Sequence, residues 1–121
     1  MINYAEDHVI KRKVSEIADK LAMKHIDISR VRCFRSFGSS SRGTIARCYA
    51  LSKIWQKALS TNAHYIIEVL SEKFDRLQES EQEKVLIHEL LHIPKSFGGG
   101  FRHHDYVCKR NVEQLYTTFK Q

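Results

Sequence analysis

From about Ala5 to Lys24 the apolar residues Ile10, Val14, Ile17 and Leu21 recur at alternating steps of four and three. That spacing lines one face of an amphipathic helix and leaves Lys11, Arg12, Lys13, Glu16 and Asp19 mostly for solvent. From Ile28 the period shortens. Val31, Cys33 and Phe37 alternate with polar neighbours, Gly38-Ser39-Ser40-Ser41-Arg42-Gly43 carries turn chemistry, and Ile45 to Leu51 follows, with Ile45, Tyr49 and Leu51 sharing parity. This reads as an antiparallel hairpin. Ser52 to Leu59 fits either a cap on that hairpin or a short turn. His64 to Leu70, rich in β-branched and aromatic residues, predicts a third strand with His64 on its surface. Ser80 stands three residues before Glu83, the spacing of a capping box, and predicts a helix from Glu81 to about Ile93. Pro94 and Gly98-Gly99-Gly100 end it. A last helix is predicted from about His104 to Phe119, with Cys108, Val112, Leu115 and Phe119 inward. The order is an α+β layout: an N-terminal helix, a three-stranded antiparallel sheet, then two further helices packed on it.

The 121 residues fit a single domain over 1–121, with length for one modest core. No apolar run approaches the roughly 20 residues needed to cross a bilayer. Met1 to Asp7 lacks the basic and apolar regions of a signal peptide, so a cytoplasmic location with no membrane partner is expected. Cys33, Cys48 and Cys108 form no Cys-x-x-Cys pair, which argues against a thiolate metal site. Cys33 and Cys48 are symmetric about Ser40-Ser41, so a hairpin turning there sets them opposite each other, as two buried thiols or as a cross-strand disulfide. The formal net charge is +6, and no acidic residue lies between Asp27 and Glu68. Arg30, Arg32, Arg35, Arg42, Arg47, Lys53 and Lys57 all fall in that stretch. It reads either as a solvated basic face or as a surface for acidic peptides or nucleic acid.

The helix after Ser80 contains His88-Glu89-Leu90-Leu91-His92. Histidines at i and i+4 lie one turn apart on one face, so both imidazoles can reach one metal ion, and Glu89 projects beside them where it can act on a water. A third ligand requires the chain to reverse, and Pro94 through Gly100 provides the reversal. Past it lie His103, His104 and Asp105. His104 is one turn ahead of Cys108 and continues the inward stripe of the last helix, whereas His103 is rotated about 100° away. His104 is therefore favoured, with His103, Asp105 and Glu113 left open; Glu113 would make a two-histidine, one-glutamate site. Three protein ligands leave a fourth position for water, which zinc would acidify and Glu89 would deprotonate as general base during peptide-bond hydrolysis. Tyr106 and Arg102 are candidates for supporting the developing oxyanion or the substrate.

Val85 to Pro94, then Gly99-Gly100, Arg102, His104 and Val112 to Tyr116, resemble metallopeptidases found in archaea and some phages. Arg35 to Arg42, Ala46-Arg47 and Ile54 to Leu59 are similar to the same family. The resemblance implies a minimal zincin-like fold whose active-site helix carries His88 and His92. It also implies one zinc ion per chain held by His88, His92 and His104, Glu89 as catalytic base, and a peptide or protein substrate. His103 stands where the family has proline. In zincins a strand before the active helix often presents its edge to substrate, and His64 to Leu70 is expected to do so. The competing readings are a metal-stabilised nucleic-acid-binding module using the arginine-rich hairpin, a protease acting on DNA-associated proteins, and a regulator with purely structural zinc. The intact Glu89 argues against the last.

Overall fold

The computed structural model describes residues 1–121. Its strands are β1 (Asn3–Glu6), β2 (Val31–Phe37), β3 (Ala46–Ala50) and β4 (Tyr65–Leu70). Its helices are α1 (His8–Lys20), α2 (Lys53–Ala58), α3 (Ser71–Phe74), α4 (Glu79–Leu91) and α5 (Lys109–Phe119). The α+β class holds. The sheet, however, has four strands in the order β1-β2-β4-β3, and it is mixed. β4 runs parallel to β2, while β1–β2 and β3–β4 are antiparallel. No helix is long and apolar enough to cross a membrane.

The expected hairpin between β2 and β3 does not form, because β4 lies between the two strands. The glycine–serine segment after Phe37 is instead a crossover to the far side of β4, where the Leu70 N–H donates to the Ile45 carbonyl (2.9 Å). Cys33 and Cys48 both sit opposite Ile67, one on each side of it. Two strand spacings are about 10 Å, beyond the roughly 7 Å that a disulfide tolerates between Cα atoms. Both thiols are free, and the cross-strand disulfide is excluded.

Helix α1 buries Ile10, Val14 and Ile17 of the stripe its spacing predicts and adds Ala18, while Leu21, its C-cap, is only half-buried. It starts later than Ala5 because Asn3–Glu6 pairs with β2 and Asp7 caps the helix, accepting from the Ile10 N–H (2.9 Å). Val31, Cys33, Tyr65, Ile67 and Val69 join the helices in one core. The other sheet face leaves Tyr4, Tyr49 and Ile66 exposed. Helix α4 contacts α1, α5 and β3, so the histidine-bearing segment is braced from three sides.

The capping box at Ser80 is also absent. Gln78 is the N-cap, without a side-chain bond, and Ser80 lies inside the first turn. Glu83 turns into the protein. Its carboxylate accepts from Lys13 Nζ (3.2 Å) and the Tyr116 hydroxyl (3.2 Å), and Lys120 Nζ lies 3.6 Å away, so one buried carboxylate ties α1 and α5 to α4. The two ammonium groups still reach water. Glu83→Gln is therefore expected to cost a hydrogen-bond-scale penalty of about 1–2 kcal/mol, not that of a fully buried ion pair. The urea midpoint checks it, and an unchanged midpoint would show that the helices need no such tie.

Candidate active site

His88 and His92 lie one turn apart near the end of α4, with ring centroids 5.0 Å apart. His104 comes from the segment that follows the glycine loop, its ring 5.6 Å from His88 and 5.1 Å from His92. One ligand atom from each of the three falls within 4.8 Å of the others. His103 is not in this group; its ring meets the edge of Phe101. The helical stripe that favoured His104 does not exist, since α5 begins only at Lys109 and Cys108 is its N-cap. A turn, not a helix face, brings His104 to the other two.

The chain fixes the second histidine closely. His92 Nδ1 lies 2.6 Å from the Arg102 carbonyl, which can only accept, so Nδ1 carries the proton and Nε2 keeps its lone pair. The Arg102 N–H donates back to the His92 carbonyl (2.8 Å), and Phe101 stacks on the imidazole at 4.4 Å. Burial, then the neighbouring His92 and His104, holds His88 down to about 4. Burial also lowers His92, against the pull of the Arg102 carbonyl. These two imidazoles are thus neutral at physiological pH, the form that binds metal. Three histidine nitrogens with a fourth position open are a donor set suited to a catalytic divalent ion such as zinc.

Glu89 is 5% exposed. Burial alone pushes its carboxyl up to about 7, with no hydrogen bond or ion pair to offset the cost. It lines a cleft of about 490 Å³ with His88, Ala46, Val112, Lys109 and Glu113. Cys48 projects from β3 close enough that Glu89, after burial itself, raises its thiol pKa. Glu113 lies 3.1 Å from Lys84 and is outside the histidine group. The Asp105 carboxylate accepts from the Tyr106 N–H beside it. Arg102 and Tyr106 stack on one another at 4.3 Å and line a separate recess with His25 and Leu115. Neither lines the Glu89 cleft.

The strand edge along this cleft also differs from expectation. β4, thought to present its edge to substrate, is internal, hydrogen-bonded to β2 and β3. β3 is the edge strand, and Ala46 and the residues leading into it line the cleft. The basic stretch is changed too, because acids from its borders and from remote segments meet it in space. Arg30 pairs with Asp27 (3.3 Å), Arg32 with Glu6 (2.7 Å), Arg35 with Asp7 (2.9 Å) and Asp75, and Arg47 approaches Glu68 (3.8 Å). Arg30, Arg32, Arg35 and Arg47 are thus each set beside a carboxylate, whereas Arg42, Lys53 and Lys57 of the same stretch form no ion pair.

Two histidines and a buried glutamate on one helix, met by a third histidine, with His88 and Glu89 lining a cleft against an open strand edge, define a metal-dependent hydrolase as the class of protein to compare. The chain belongs to the family described as putative phage metallopeptidase, whose model matches residues 2–120. No curated protein and no solved structure matches it.

Proposed function

We propose that the protein is a zinc-dependent metallopeptidase in which His88, His92 and His104 hold one zinc ion and Glu89 is the general base. The observation that carries this reading is the buried, unpartnered Glu89 carboxyl beside three clustered imidazoles. A zinc ion there supplies Lewis acidity, acidifying water and polarising a carbonyl oxygen. Glu89 takes the proton of the attacking water and returns it to the leaving amide nitrogen. The free edge of β3 aligns the substrate backbone by main-chain hydrogen bonds, so sequence selectivity is loose. The Arg102 carbonyl holds His92 in its ligand tautomer.

Metal analysis of the untagged protein tests the site. Wild type and His103→Ala are expected to hold about one zinc per chain, and to hydrolyse an unfolded polypeptide until a chelator is added. His104→Ala should lose affinity by more than the roughly 10–100-fold cost of removing an outer hydrogen bond. Wild type without stoichiometric metal after zinc is supplied would overturn the reading.

A further inference from the structure

We infer that Tyr65 is a positioning residue for the metal centre, its hydroxyl clamping the glycine loop that delivers His104; the inference rests on the three-histidine reading. Tyr65 opens β4, is fully buried, and pairs with Val31 on one side and Ala50 on the other. Its backbone is thereby fixed by both neighbouring strands. Its ring packs against Phe97 at 5.0 Å. Its hydroxyl donates to the Gly100 carbonyl (2.8 Å) and accepts from the Gly99 N–H (3.0 Å). A phenol can both donate and accept, and here both capacities are used on adjacent residues of one loop.

That loop has little else to hold it. From Gly98 to Arg102 the one main-chain hydrogen bond is Arg102 N–H to the His92 carbonyl. Gln56, on α2, adds a second side-chain brace, donating to the carbonyls of Gly98 (3.0 Å) and Leu51 (2.8 Å). Gly99 has φ +103°, and a Cβ there would lie 2.5 Å from the Leu51 carbonyl oxygen, so the loop is pressed against the end of β3 where only glycine fits. The residues it then delivers are Phe101, stacked on His92, Arg102, whose carbonyl orients His92, and His104. The phenol of a central strand therefore sets where the third imidazole stands relative to the first two.

Tyr65→Phe keeps the ring and removes only the oxygen. Zinc affinity, read by competition with a chromophoric chelator, is expected to fall roughly 10–100-fold. The visible spectrum of the cobalt(II)-loaded protein should move towards that of His104→Ala. The melting temperature of the metal-free protein should change little, whereas a merely structural role would lower it and leave the cobalt spectrum alone. Should Tyr65→Phe fail to fold, Gln56→Leu, which releases the same loop from the half-buried α2 side, carries the test with the same expected loss. Wild-type affinity and cobalt spectrum in the folded variant would overturn the inference while leaving the three-histidine site intact. A wild-type protein that binds neither zinc nor cobalt would overturn both.

Discussion

Glu89→Gln is expected to reduce peptide hydrolysis by about 10²–10⁴-fold while the protein keeps its metal. Glutamine matches the glutamate in size but cannot accept a proton from an attacking water. Glu89 is outside the group of clustered ligand atoms, so the exchange leaves His88, His92 and His104 as they are. Cleavage measured beside zinc content distinguishes this from indirect damage to the site. A variant that cleaves within tenfold of wild type would remove Glu89 from the chemistry, and one that loses zinc would make it part of the metal's support.

The same substitution is expected to stabilise the metal-free protein at pH 8, by about 3 kcal/mol. The Glu89 carboxyl is raised from 4.5 to about 7 by burial. Between those values the folded chain keeps a proton that the unfolded chain has released, so stability falls as pH rises. This contribution is fully present below 4.5 and is lost as pH passes through about 7. Glutamine has no proton to lose, so the variant escapes the decline. His88 shifts the opposite way but is common to both proteins and cancels in the comparison. In the presence of chelator the melting temperatures should differ by roughly 10 °C at pH 8 and converge below pH 4.5. Equal stability at pH 8 would mean that water reaches the carboxyl freely. A divalent ion that binds only the folded state would offset the same cost.

What could be read in the sequence was what is local. His88 and His92 are joined by helical spacing, and α1 shows its buried stripe directly. Alternation placed Val31 and Cys33 of β2 correctly, but it failed at Phe37 and Tyr49, which are exposed while Ser36 is buried and Ala46, Cys48 and Ala50 pack on the core. It could not tell which strand lies beside which, because burial is the same whatever the neighbour is, and β4 took the place between them. β1 was missed because all four of its residues are exposed and leave no alternating pattern. His104 was singled out from a helical stripe that does not exist; what brings it to His88 and His92 is a turn braced by Tyr65. Nothing near Tyr65 in the sequence marks that role, since its partners are Gly99 and Gly100. The arginines looked unopposed because Glu6, Asp7 and Asp75 lie outside the stretch that carries them.

The insertion of β4 between β2 and β3 has a kinetic consequence. Both strands leave the ribosome before Tyr65 does, with glycine and serine between them and nothing yet to keep them apart. A direct β2–β3 hairpin closes a short loop and forms within microseconds, whereas the parallel β2–β4 pairing must close a long one. The turn residues thus favour, locally, a pairing that the finished sheet does not contain. The parallel pairing, which needs the longer closure, is then the slower step in building the sheet.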